Sequence, residues 1–191
     1  MALQPSPESE VPAMKSIVRI ALLGVIMFSL FGCTSVPDGL SPVTGYDAGR
    51  YLGTWHEIAR LDHSFERGLT RVTAEYAKRP DGTIAVVNRG FDAAKGKWKE
   101  ARGKAKFIGD PGVGSLKVSF FGPFYAPYNI IDLDRERYSY AMVCSSNTSY
   151  LWILSRTPTL DPAIRDRLIA RARDWGFNTN GLIFVRQEGQ K

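Results

Sequence analysis

Between Thr54 and Arg156 the chain is cut into eight short runs rich in β-branched, aromatic and alternating residues, each bounded by turn-forming residues. They cover 54–61, 70–78, 83–91, 97–107, 115–121, 128–133, 138–144 and 150–156. The links between them are too short for crossover helices, so neighbouring runs must pair antiparallel. Arg79-Pro80-Asp81-Gly82 reads as one tight hairpin and Asp134-Arg135-Glu136-Arg137 as another; Gly109 to Gly114 separates the fourth run from the fifth. Eight such strands can close on themselves and leave no exposed edge. The expected fold is therefore all-β with one helix: an eight-stranded antiparallel up-and-down barrel and a C-terminal α-helix packed outside it.

That helix is read over 162–175. Asp161 caps it, Pro162 takes its first position and Gly176 stops it. Ile164, Leu168, Ala172 and Trp175 share one face for packing, whereas Arg165, Asp166, Arg167, Arg171, Arg173 and Asp174 are placed to meet water. A last strand-like piece, 182–185, fits beside the first strand.

The N-terminus has a different character. Residues 1–13 are polar and precede a second methionine, Met14, the expected start of translation. Lys15 and Arg19 then lead into an apolar run, Ile20 to Phe31, shorter than the ~20 residues a membrane-spanning helix needs. Leu30-Phe31-Gly32-Cys33 resembles a bacterial lipobox, with Phe31 a departure from the usual small or β-branched residue. The resemblance implies cleavage before Cys33 and acylation of its thiol. Residues 1–32 are thus assigned to an upstream extension and signal peptide, 33–45 to a lipidated cysteine and flexible tether, and 46–191 to the folded domain. Several acyl chains on Cys33 would make a stable anchor, since one alone holds only marginally.

Loss of 1–32 would leave the net charge at +6, which suits a surface beside anionic head groups. No Lys/Arg block resembles a nucleic-acid-binding arm, and nucleic acid is not an expected partner. With Cys33 acylated, Cys144 has no disulfide partner.

Four markers in order resemble the lipocalin family over residues 46–187: Gly53-Thr54-Trp55, the loop Phe65-Glu66-Arg67-Gly68-Leu69, the segment Tyr128 to Cys144, and Trp152-Ile153-Leu154-Ser155-Arg156-Thr157-Pro158. The match is to bacterial outer-membrane lipocalins, similar to apolipoprotein D among animal proteins. The resemblance implies a fatty acid or lysophospholipid ligand, no catalysis, no cofactor, and a lipid-anchored position at the outer membrane facing the periplasm. Gly53, Trp55 and Arg156 form the structural signature. An indole plugs the closed end and a guanidinium lies over it, with further acceptors expected from the carbonyls of residues 46–51.

Strand alternation, combined with this register, sorts the lining. Trp55 inward carries Glu57 and Ala59 with it. The second strand offers Val72, Ala74 and Tyr76, the third Ile84, Val86 and Asn88, and the fourth Ala101, Gly103, Ala105 and Phe107. Leu116, Val118 and Phe120 follow on the fifth; Tyr128 and Ile130 are taken on the sixth; Tyr150, Trp152 and Leu154 share the parity of Arg156 on the eighth. The seventh strand has no clear phase. The ligand set is Tyr76, Val86, Asn88, Ala101, Val118, Phe120, Tyr128, Tyr150 and Trp152, a lining suited to an acyl chain with one oxygen-bearing end. Glu57, costly to bury alone, requires a partner or a raised pKa.

Asp62 to Leu69 reads either as a lid, in which Phe65 and Leu69 cover the ligand and His63, Glu66 and Arg67 meet its head group, or as an ordinary solvated loop with Arg67 bonded locally. Gly122-Pro123-Phe124-Tyr125-Ala126-Pro127 reads as a second rim loop, open to a membrane or to a second copy of the chain in a homodimer. The two histidines have no metal-ligand spacing, and no serine stands in a nucleophile elbow. Two alternatives stand beside the lipid-binding reading. One is a scaffold lipoprotein with a filled barrel. The other is a lipid isomerase using Cys144, a residue that reads more simply as a buried, inert thiol.

Overall fold

The computed structural model describes residues 36–187. Cys33 and the signal segment lie outside them. A single turn of helix, α1 (Ala48–Tyr51), precedes eight strands: β1 (Gly53–Leu61), β2 (Leu69–Lys78), β3 (Ile84–Asp92), β4 (Lys97–Phe107), β5 (Ser115–Phe121), β6 (Phe124–Leu133), β7 (Tyr140–Cys144) and β8 (Leu151–Ser155). Helix α2 (Pro162–Asp174) and a short β9 (Leu182–Phe184) follow. Each strand pairs antiparallel with the next, β8 returns to β1, and β1 pairs with β2, so the eight strands close as expected.

β1 is the seam. It pairs with β2 only from Gly53 to His56; above that the two diverge, and β9 takes the vacant side, setting Ala59 opposite Phe184 and Leu61 opposite Leu182. The chain after β9 fills the remaining gap. Val185 N donates to Ile58 O at 2.9 Å and Arg71 N to Arg186 O at 2.7 Å. The Gln187 amide donates to the carbonyls of Glu57 (2.7 Å) and Val72 (3.1 Å). Backbone groups that the diverging strands leave open are thereby satisfied.

Two apolar clusters share the sheet. The inner one contains Tyr51, Trp55, Tyr76, Val86, Val118, Ile130, Ala141, Val143 and Leu154. The outer one lies beneath α2 and joins Ile58, Ala59, Met142, Cys144, Ile153, Leu168 and Ala172. β7 is apolar on both faces, which is why its alternation is silent; Ala141 and Val143 turn in, Met142 and Cys144 turn out.

Helix α2 forms for the reasons read from its ends. The Asp161 carboxylate accepts from Ala163 N (2.8 Å) and Ile164 N (3.2 Å), Pro162 sits at the first turn, and Gly176 exits at φ +83°. Its stripe of Ile164, Leu168, Ala172 and Trp175 packs on the outer cluster. Arg171, expected in water, instead pairs with the buried Asp132 of β6, and Arg167 donates to Tyr140 Oη at 2.9 Å. Helix and barrel are thus joined by charge as well as by apolar contact.

Three other expectations are corrected. The rim segment 122–127 is a two-residue turn, and Phe124 to Pro127 already belongs to β6, paired as Phe121–Phe124 and Lys117–Pro127. Pro123 lies in the turn before β6, and Pro127 stands where β6 has only β5 beside it, since pairing with β7 begins at Asn129. Part of the stretch expected as a tether lies on the barrel: Leu40 is buried in the outer cluster, and Val43 exchanges backbone bonds with Ile130 and Gly114 at 2.8 Å each. Ala59 faces outward, because a bulge between Glu57 and Ala59 reverses the alternation of β1.

Candidate functional site

The hairpin order puts both ends of the barrel on view. The start of β1, with Trp55, marks the closed end; the β1–β2, β3–β4, β5–β6 and β7–β8 connections lie at the other.

The floor is solid. Trp55, Ile130, Ala141 and Val143 have no exposed surface. The Trp55 indole N–H donates to Tyr51 O at 2.8 Å, and the Arg156 guanidinium covers the ring 3.9 Å from its centroid. Arg156 also donates to the carbonyls of Arg50 (2.7 Å), Thr54 (3.0 Å) and Tyr138 (3.3 Å), so the expected bond to the lead-in segment forms. Gly53 at φ +92° brings the backbone beneath that guanidinium. Above the floor the Tyr128 hydroxyl lies 2.8 Å from both Tyr51 Oη and Tyr76 Oη. Burial pushes all three phenols above their ordinary range.

The walls open upward. Val86 and Val118 are buried, but Ala74, Asn88, Phe120, Tyr128 and Trp152 are only half-buried although they face inward. Solvent therefore reaches down among them. Gly103 leaves room for Phe120, since a Cβ there would meet that ring at 2.8 Å and Ser119 O at 2.6 Å. Asn88 Oδ1 is buried without a hydrogen-bond partner. Ala101, opposite Asn88, is exposed and stands towards the mouth.

A charged group sits under the mouth. The β1 bulge turns Arg60 inward opposite Trp152, where it is 1% exposed. Its guanidinium meets Glu57 Oε1 at 2.6 Å and donates to Glu66 O at 2.9 Å. Glu66 Oε2 accepts from the Trp152 indole at 3.1 Å and lies 3.0 Å from His63 Nε2. Burial, then the neighbouring Glu66 charge, raises the Glu57 pKa against the pull of Arg60. Burial also opposes ionisation of Glu66, yet His63, Trp152 and Arg60 together hold its carboxyl below the usual range. The His63 ring stacks on Phe65, with centroids 3.9 Å apart, and lies 6.0 Å from the Tyr150 ring.

Of the expected ligand set, Tyr76, Val86, Val118, Phe120, Tyr128 and Trp152 join the inner cluster, whereas Asn88, Ala101 and Tyr150 stand outside it. The expected lid is dispersed. Phe65 caps His63 but is 61% exposed. Arg67 is exposed and bonded to Asp62 at 2.7 Å, which spends its charge locally. Leu69 packs in a separate cluster with Val72 and Val185. Arg60 is the residue that strict alternation missed; the adjacent apolar pair Ile58-Ala59, breaking the two-residue period, is the signal that marks the bulge. Cys144 lies on the outer side of the sheet, where burial pushes its thiol up to about 12. A cavity thiol for isomerase chemistry is absent among the described residues.

Comparison with known proteins agrees with this geometry. A model of the lipocalin-like domain matches residues 46–187. The outer membrane lipoprotein Blc of Vibrio cholerae is 55% identical over 171 residues, which cover 90% of this chain and all of the relative. Blc of Escherichia coli K12 is 50% identical over 85% of this chain and 92% of its own, and mouse apolipoprotein D is 32% identical over 71% of each. Among solved structures, insecticyanin from Manduca sexta superposes with a TM-score of 0.66 at 19% identity, covering 81% of this chain and 88% of its own, which speaks to fold alone. By sequence, barrel closure and the Trp55–Arg156 floor together, the chain belongs to the lipocalin family.

Proposed function

We propose that this protein is a lipid-binding lipoprotein of the outer membrane, anchored through acylated Cys33 and facing the periplasm, which holds one fatty acid or lysophospholipid in its barrel without catalysis. The observation that carries the reading is the gradient along the interior: sealed at Trp55, half-buried and aromatic above, charged under the mouth. An acyl chain fits the middle zone. Sixteen carbons at ~0.8 kcal/mol per methylene would gain on the order of 12 kcal/mol before ordering and association costs, enough for micromolar binding or tighter.

The head group then meets the charged zone. Arg60 Nε, His63 Nδ1 and Asn88 Oδ1 are buried without hydrogen-bond partners, and a phosphate or carboxylate oxygen with its waters supplies what the first two lack. The names of the Vibrio and Escherichia relatives support the location, as does the lipobox-like Leu30 to Cys33. A second copy of the chain in a homodimer is compatible with this reading and is not needed for it.

Titration of residues 34–191 with a lysophospholipid, followed by tryptophan fluorescence, tests the cavity. A response saturating at one equivalent and largely lost in Trp152→Phe is expected; a non-saturating response unchanged by that substitution would overturn it. Labelled palmitate should enter the full chain and not Cys33→Ser.

A further inference from the structure

Among the described residues, six large apolar side chains are exposed, and four of them sit at the open end: Phe65 (61%), Trp98 (55%), Phe121 (82%) and Phe124 (78%). The other two, Ile183 and Phe184, lie on β9. The connections at the closed end carry none. Exposed aromatics thus emerge from three of the four connections around the mouth, the β1–β2, β3–β4 and β5–β6 turns. The fourth, 145–150, is small and polar apart from Tyr150.

Cations stand among these rings. The Arg71 guanidinium is 3.9 Å from the Phe91 ring centroid and 5.2 Å from that of Trp98. Lys95, Lys97 and Lys99 surround the β3–β4 turn. The nearby acid, Asp92, is 7% exposed and engaged by Lys99 at 3.1 Å and Lys95 at 4.0 Å, while Asp62 is matched by Arg67. What projects outward is apolar and positive. Below it, Lys117 and Lys106 flank Tyr125, at 5.4 and 6.0 Å from its centroid.

We infer that the open rim is a membrane-docking surface that seats the barrel mouth on an anionic bilayer. Aromatic rings partition to the interfacial zone, where an apolar body and a wet neighbour are both accommodated. Each rim cation near an anionic surface adds on the order of fivefold to partitioning. A purely apolar rim would fit a second copy of the chain equally well, but two copies meeting mouth to mouth would oppose their own lysines. The charge therefore selects a negative bilayer as the occupant. Docking through the mouth places the charged zone of Arg60, Glu66 and His63 directly over the head-group layer. The inference extends the proposed function and does not require a resident ligand.

The test is vesicle flotation of residues 34–191, a compact unit with its own core, using phosphatidylglycerol and phosphatidylcholine vesicles. Wild type is expected to float with the anionic vesicles and weakly with the neutral ones, binding falling with salt. F121S/F124S and K95Q/K97Q/K99Q should each reduce flotation tenfold or more, whereas I183S/F184S should not. Lysophospholipid affinity in solution, measured on the same variants, should stay within about twofold, which also establishes that they fold and separates failed docking from a failed cavity. Flotation equal for wild type and both rim variants overturns the inference. So does a rim that binds no vesicle but whose loss converts a sedimenting dimer to a monomer, which assigns the face to a second copy.

Discussion

Arg156 lies over Trp55, its guanidinium carbon 3.9 Å from the ring centroid, although they stand 101 positions apart in sequence. The pair ties the end of β8 to the start of β1, and the three carbonyls that Arg156 reaches belong to α1, β1 and the β6–β7 turn. Ring, cation and backbone thus close the floor as one unit.

Removal of that cation should loosen the closed end. Arg156→Ala loses the ring contact and the charged hydrogen bonds and should cost about 2–4 kcal/mol in urea denaturation. Arg156→Lys should recover less than half, because an ammonium cannot span three divergent acceptors while lying over an indole.

The tyrosine chain above the floor gives a second expectation. Tyr128→Phe removes the oxygen shared by Tyr51 and Tyr76 and leaves two buried hydroxyls unpaired. A loss of about 1–3 kcal/mol is expected, with the m-value unchanged. A neutral result would mean that water replaces the missing hydroxyl.

The charged zone should make stability depend on acid in a defined direction. The folded pKa of Glu66 is depressed, so its contribution is present above the ordinary glutamate value of about 4.3 and is lost as pH falls through the lower folded value. Glu57 is raised and acts in the opposite sense, its contribution lost as pH rises above the ordinary range. The difference between wild type and Glu66→Gln carries the Glu66 contribution together with the relief of Glu57 from the Glu66 charge. It should shrink below about pH 4, as Glu66 becomes protonated in both states.

Cys144 has 0% exposure on the outer face of the sheet, against the helix. Maleimide labelling of the native domain should therefore be no faster than unfolding, and lysophospholipid should slow it only as far as it stabilises the fold. Rapid labelling blocked by lipid would put the thiol in the cavity.

Local signals carried much of this fold. The caps of α2 and its apolar stripe are written within the sixteen residues from Asp161 to Gly176, and the Gly53–Trp55 and Arg156 markers fall where parity requires. The eight strands begin and end within two residues of expectation except at β6, where Pro123 and Pro127 disguise a strand that starts at Phe124. What was illegible depends on tertiary contact. The Glu57–Ala59 bulge reverses a parity that sequence alone treats as continuous, and it is this reversal that buries Arg60 beside Glu57 and Glu66. Arg171 looked like solvated charge because Asp132, its buried partner, lies 39 residues away.

An accessible cavity that takes one lipid should be visible by native mass spectrometry of residues 34–191 with added lysophospholipid or fatty acid. A discrete one-to-one adduct that survives desolvation and weakens in Trp152→Ala is expected. Absence of an adduct with every lipid tried would contradict it, and would mean that the half-buried aromatic zone is a filled core.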